Sequence, residues 1–224
     1  MHQTLFNKEN QEEMRNFFIT VLSPLGYEKK LQKNSEINLP SKSSICIVTN
    51  GRIKVSLYSS KGYNKLMFFL IPGEIFGELY HFEQEDLNLI IHTKEDSTIS
   101  VVDGAIVDEF LNLNPQYYKY FMHSISRKYI ISLCQMSDTL FHSSSSRIAS
   151  TLHRLSLLNS HKVNDDHVIS FTLTHQEIAD LVGCSRITVT KTLNKFKSQN
   201  ILTMKNKTIT IYNLTALETI AFTE

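Results

Sequence analysis

The chain has 224 residues, 42% hydrophobic and 20% charged, so it can build a core and does not read as disordered. No apolar run approaches the roughly 18 residues of a membrane span, and the polar, acidic start "MHQTLFNKENQEEMRNFF" matches neither a signal nor a transit peptide. The net charge of +1 is uneven: residues 1–140 hold 14 Lys and Arg against 16 Asp and Glu, whereas residues 141–224 hold 9 against 6, with five of the nine His, a mild bias toward an anionic partner.

Residues 10–23 predict a short leading helix. Residues 37–103 predict β structure, because "SICIVT", "IKVSLY", "LMFFLI", "LNLIIHT" and "STISVV" recur between the turn signals Asn50-Gly51, Lys61-Gly62, Pro72-Gly73 and Asp103-Gly104. Short strands about ten residues apart fit a sandwich or barrel rather than a parallel sheet with crossover helices. Cys46, Cys134 and Cys184 are far apart and form no C-x-x-C pair, which fits a reducing cytoplasm and argues against a disulfide framework, zinc or iron–sulfur site.

From about residue 105 the pattern turns helical. Pro115 suits the first turn of a helix, with Asn114 as its cap. Tyr129, Leu133, Met136 and Leu140 then step by four, three and four, a coiled-coil seam that predicts a homodimer; the alternative is a helix packed on its own domain. "HSSSSR" interrupts the helix, because serines favour caps over helix interiors. The predicted divisions are 1–104, 105–142 and 143–224. The last begins with the helix "RIASTLHRLSLL", followed by a polar loop, "NSHKVNDDH", and a strand, "VISFTL".

"LTHQEIADLVGCSRITVTKTLNKFKSQNIL" predicts two helices about a tight turn. Thr174 and Glu177 form a capping box, Gly183 breaks the first helix, and Ser185 caps the second. Val189, Leu193 and Phe196 make the buried stripe of the second helix. The opposite stripe holds Arg186, Ile187, Thr190, Lys191 and Asn194, so an isoleucine stands on a face a solvated helix keeps polar. "ILTMKNKTITIYNL" alternates as a hairpin with Lys205-Asn206-Lys207 at its tip, a wing. A major groove admits such a helix, and its first residues reach base edges. The expected partner is therefore double-stranded DNA.

These residues resemble the winged helix-turn-helix of the cyclic-AMP receptor protein/fumarate-nitrate regulator (CRP/FNR) superfamily. "IPGEIFGEL" is similar to the phosphate-binding cassette of that family's sensor, and "NPQYYKYF…LFHSSSSRIASTL" to its dimerisation helix and hinge. "GELY" and "NKTITIYNL" are similar to the branch that regulates reductive dehalogenation. The resemblance implies an α+β chain: a β jelly-roll sensor, a long dimer helix and a winged helix-turn-helix. It implies a bacterial, cytoplasmic homodimer that reads pseudo-palindromic operators, with RNA polymerase as a further partner. It further implies base reading by Arg186, Ile187, Thr190 and Lys191, and phosphate contacts from Ser145, Thr174, His175, Gln176, Ser185, Thr188 and Asn206. Ile187 stands where a glutamate is usual, and Lys191 and His175 where arginines are usual.

The implied effector pocket is Gly77, Glu78, Leu79, Leu87, Asn88, Ser132 and Leu133. In cyclic-nucleotide-binding relatives an Arg-Ser pair stands where this chain has Leu87-Asn88, and no arginine occurs from 53 to 126. A phosphate buried without a cationic partner is costly, so cyclic AMP is not the expected effector. No cysteine precedes Cys46 to hold an iron–sulfur cluster, and Leu79 stands where a haem-binding relative has its histidine. No cofactor is expected; the effector is an unidentified small molecule, an uncharged aromatic or other weak organic acid. A rival is an effector-independent regulator of the same fold. A cupin-like metal enzyme is disfavoured, because His81 and His92 lack the His-x-His spacing and Glu78 lacks metal-ligand partners.

Glutamate accepts a hydrogen bond from cytosine, whereas isoleucine offers apolar contact, best to a thymine methyl. Binding-site selection on the purified protein is therefore expected to return a half-site richer in A·T. Recovery of unaltered TGTGA as the preferred half-site would overturn this.

Overall fold

The strand β2 (Ile45–Asn50) begins with four consecutive buried residues, so it must have apolar surroundings on both faces. Its alternation sorts them. Ile45 and Ile47 join Ile75 and Val102 against helical residues Met14, Phe17, Phe18, Val107, Leu111 and Phe121. Cys46 and Val48 point the other way, into a core with Val55, Leu70, Ile91, Ile99 and Val101. Burial pushes the Cys46 thiol up to about 12, which makes it a core side chain rather than a reactive one.

The computed structural model describes residues 7–39, 41, 43–83, 89–164 and 166–222. They form two units, one ending at Ile130 and the other starting at Ile131. In the first, helix α1 (Lys8–Phe17) runs into a π turn (Phe18–Leu22) and a 3₁₀ turn (Ser23–Leu25). The strands are β1 (Tyr27–Leu31), β2, β3 (Ile53–Tyr58), β4 (Asn64–Leu70), β5 (Ile75–Phe76), β6 (Leu89–Thr93) and β7 (Ser97–Val102). They pair antiparallel in two sheets, ordered β1-β7-β2-β5 and β4-β3-β6. Helix α2 (Glu78–Glu83) is inserted after β5, and α3 (Gly104–Leu113) follows β7. A stack of Phe17, Tyr117 and Tyr120, with ring centroids 4.8 and 4.7 Å from Phe17, seals the helical side.

A long helix, α4 (Tyr118–Phe141), begins after a 3₁₀ turn at Pro115–Tyr117. Asn114 precedes it but does not cap it: its side-chain amide donates to the Phe110 carbonyl at 3.0 Å, closing the end of α3 instead. In the second unit, α5 (Ser144–Asn159) is separated from the end of α4 by two residues, with Ser143 accepting from the Ser146 amide as its N-cap. The serine run is thus mostly a helix start. The stretch expected as a polar loop is a hairpin, β8 (Ser160–Val163) and β9 (Asp166–Ile169), and the expected strand "VISFTL" stops at Ile169. Helices α6 (His175–Val182) and α7 (Arg186–Ser198), strands β10 (Leu202–Lys205) and β11 (Thr208–Ile211), and α8 (Leu214–Phe222) complete the unit, with sheet order β10-β11-β9-β8.

Each unit carries a buried ionic network. In the first, Glu74 is 1% exposed and takes Arg15 at 2.7 Å and Arg127 at 3.1 Å. Burial pushes the Glu74 carboxyl up, but Arg127 and Arg15 outweigh it and hold the group below the usual carboxylate range. Burial, then these same two guanidiniums, lowers the neighbouring His123. In the second unit, Asp138 on α4 accepts from Ser150 at 3.0 Å and Arg154 at 2.8 Å on α5, bracing the joint between the helices.

Glu74→Gln leaves Arg127 buried without a counter-charge and is expected to destabilise the fold by about 3–5 kcal/mol. Urea denaturation of this variant beside the exposed control Glu28→Gln tests it. Because the folded carboxyl is depressed, its contribution is present above the unfolded carboxylate range and is lost as pH falls through the depressed value. Glu74→Gln should therefore flatten the acid limb of stability against pH, and an unchanged limb would contradict the assignment.

Candidate nucleic-acid interface and sensor cassette

The two helices α6 and α7 are set by local chemistry. The Thr174 hydroxyl accepts from the Glu177 amide at 3.1 Å, and the Glu177 carboxylate accepts from the Thr174 amide at 2.9 Å, a complete capping box. Gly183 ends α6 at φ +74, a left-handed conformation that an L side chain adopts only at a cost. Its amide and that of Cys184 both donate to the Ala179 carbonyl. Ser185 then accepts from the Thr188 amide at 3.1 Å and starts α7. Val189, Leu193 and Phe196 are buried, at 0, 3 and 0% exposure, which fixes the rotation of α7 about its axis.

That rotation turns Arg186, Ile187, Lys191 and Asn194 to solvent. Ile187 is 68% exposed, an isolated apolar side chain among polar neighbours. Arg186 and Lys191 make no ion pair with any described residue. The fourth base-reading candidate differs: the Thr190 hydroxyl donates to the Arg186 carbonyl at 3.0 Å and meets His175 Nδ1 at 2.8 Å.

The phosphate candidates gather near the helix starts. Ser185 and Thr188 share a hydroxyl contact at 2.9 Å, Gln176 is exposed with its amide on Asp180 at 2.8 Å, and Thr174 is half-buried in its cap. Ser145 is half-buried in the first turn of α5. Asn206 lies at the tip between β10 and β11, where it and Lys207 take φ of +51 and +66, the two left-handed residues of a tight hairpin turn. Lys207 was a tip residue in the sequence pattern but not a site residue. Its left-handed backbone, unusual for a lysine, could not be read from local composition.

The sensor cassette is a close-packed turn. Gly77 has φ +99, and a Cβ there would collide with the Ser44 carbonyl oxygen. Glu78 is 3% exposed, and its carboxylate is ion-paired to Lys128 on α4. The same ammonium donates to the Ile75 carbonyl at 2.7 Å. Lys128 was missed from the sequence: nothing local links a helix residue to a carboxylate fifty positions earlier. Leu79 is half-buried, and Leu87 and Asn88 lie outside the described residues. Of the remaining cassette candidates on α4, Ser132 is half-buried and Leu133 is 39% exposed. Tyr129, Met136 and Leu140 are 63, 57 and 67% exposed, so the predicted seam is an apolar stripe open along the helix. Among the described residues no group of three His, Cys, Asp or Glu could hold a metal ion, and no described helix is long and apolar enough to cross a membrane.

Comparison with known proteins assigns both units. Residues 36–114 match the cyclic nucleotide-binding domain family and residues 146–220 the Crp-like helix-turn-helix domain family. The "cAMP-activated global transcriptional regulator CRP" of Pasteurella multocida is 26% identical over 193 residues, covering 85% of this chain and 92% of that protein. Two solved structures share the fold. A CooA mutant from Carboxydothermus hydrogenoformans gives a TM-score of 0.76 at 21% identity over 89% of each chain. A CprK variant complexed with OCPA gives 0.71 at 20% over 93% of each. With both halves matched in order, the chain belongs to the CRP/FNR superfamily of DNA-binding transcription regulators.

Proposed function

We propose that the chain acts as a homodimeric, sequence-specific regulator whose α7 helices enter the major grooves of a pseudo-palindromic operator, controlled by a small molecule other than cyclic AMP. The carrying observation is the unpaired, solvent-facing set Arg186, Ile187 and Lys191 on a helix whose other face is buried. Arg186 and Lys191 read guanine or phosphate, Ile187 makes the apolar base contact, and Ser145, Thr174, His175, Gln176, Ser185, Thr188 and Asn206 hold phosphates. The open stripe Tyr129, Leu133, Met136 and Leu140 supports pairing of α4 with a second copy, because exposed apolar seams at coiled-coil spacing bury themselves by association. Function divides at 1–104, 105–142 and 143–224, with RNA polymerase as the cytoplasmic partner and no catalytic role.

The effector assignment rests on the cassette. The relative from Pasteurella multocida is cAMP-activated. Here no arginine from 53 to 126 is present to neutralise a cyclic phosphate, and Glu78 is already satisfied by Lys128. A ligand that displaced Lys128 from this buried carboxylate would do so at a cost of several kcal/mol. An uncharged aromatic or weak organic acid does not need the carboxylate. The same pair favours a second reading, a regulator that binds DNA without any effector.

Titration calorimetry of cyclic AMP into the purified protein is expected to show no tight binding, and a tight isotherm would overturn the effector assignment. Leu140→Glu places a charge in the stripe and is expected to weaken dimerisation at least tenfold in sedimentation equilibrium and to reduce operator affinity in parallel. A dimer unaffected by this change would show that α4 pairs through another face.

A further inference from the structure

His175 and Thr190 sit on different helices of the motif yet form one hydrogen-bonded unit, and one assignment of its protons satisfies both of its contacts. The Thr190 hydroxyl has one hydrogen, which it donates to the Arg186 carbonyl at 3.0 Å. With that hydrogen on the carbonyl, the hydroxyl accepts in its contact with His175 Nδ1 at 2.8 Å, and Nδ1 then carries the ring proton. In the neutral ring the other nitrogen, Nε2, is then an acceptor only. Among the described residues Nε2 has no hydrogen-bond partner, and it is not a buried atom. Phosphate oxygens are also acceptors. A neutral His175 locked in this tautomer presents a lone pair to a phosphate, and only the doubly protonated ring presents an N–H and a charge.

We propose that His175 is a proton-gated phosphate contact, and that Thr190 is its positioning residue rather than a base reader. The inference rests on the reading of this face as the DNA-contacting one. A fixed arginine at this place would bind phosphate at any physiological pH, whereas an imidazole changes charge between about pH 5 and pH 8. Binding of DNA then takes up a proton, and operator affinity rises as pH falls. The charged groups on the surrounding elements do not replace it. On α6, Glu177 is held by Thr174 and Asp180 by Gln176. On α7, Arg186 lies one turn before Thr190 and Lys191 directly after it. On the wing, Lys207 accepts the Leu173 amide through its backbone carbonyl. The basic groups favour a bound phosphate, and the acidic ones are committed to caps and amides.

The test uses the full chain and a labelled duplex recovered by binding-site selection, with affinity measured by fluorescence anisotropy from about pH 6 to about pH 8 at several salt concentrations. The wild type should bind about three- to tenfold more weakly at the upper pH. Its plot of log affinity against log salt should be steeper by about 0.9 at the lower pH, the release expected for one more phosphate contact. His175→Gln should bind weakly with the shallow slope at both pH values, and His175→Arg should bind tightly with the steep slope at both. Thr190→Val should lose most of the pH-dependent part, and Thr190→Ser should restore it. A His175→Gln profile that follows the wild type in both pH and salt would overturn the gate while leaving DNA binding intact. Failure of the wild type to enrich any duplex would instead remove the DNA-contacting reading, and the gate with it.

Discussion

A carboxylate taken out of water survives as an anion only where cations surround it, and Glu74 is placed in that way between Arg15 and Arg127. Its three groups come from α1, the turn between β4 and β5, and α4, so one buried charge cluster joins segments that are far apart in the chain. The turn has little choice of shape, because Glu74 also accepts from the Ile71 amide at 3.3 Å. Four residues further along the cassette, Glu78 pairs with Lys128, the neighbour of Arg127. Two consecutive residues of α4 thus fasten the start and end of the stretch "GEIFGE". The shape of the sensor cassette follows from those pairs together with the apolar packing of Ile75 and Phe76 on either side of the sheet.

Some cations are committed to internal carboxylates and others are left to solvent. In the sensor unit Arg15, Arg127 and Lys128 are all committed to internal carboxylates. In the DNA-binding unit Arg154 is spent in the same way on Asp138, but Arg186 and Lys191 are left to solvent. A buried pair contributes little net attraction for a ligand, since its desolvation has already been met by its partner. An exposed, unpaired cation on a rigid helix retains its whole interaction for an incoming phosphate or base.

The helix-turn-helix was legible in the sequence because its determinants are local. The Thr174–Glu177 box, the Gly183 break and the Ser185 cap each act within three or four residues, and the buried stripe follows from helical spacing alone. The main sheets were legible for a similar reason, with apolar runs between glycine turns. Strand β1, "YEKKL", was not, since it is almost wholly exposed and shows no apolar alternation. The β8–β9 hairpin was hidden likewise: "SHKV" is polar, and only its pairing with β9 and the pairing of β9 with β11 make it a strand. The ionic networks were out of reach for another reason. Arg15 and Glu74 are 59 positions apart, and Lys128 and Glu78 are 50 apart, separations at which no local pattern carries information.

This division between local and distant determinants explains why a family can be plain while its ligand is not. Gly77 is required by the Ser44 carbonyl against which it packs, whatever the pocket holds. Gly183 is required by its left-handed φ, whatever operator is read. Motifs built on such residues report backbone geometry, and a match to them transfers the fold. Side chains that the backbone leaves free, such as the solvent-facing Ile187 and Lys191 of α7, are under no such constraint. Ile187 and Lys191 can change without disturbing a single cap or turn. A function carried over from a relative is therefore secure for the architecture and must be argued anew for every side chain that touches what is bound.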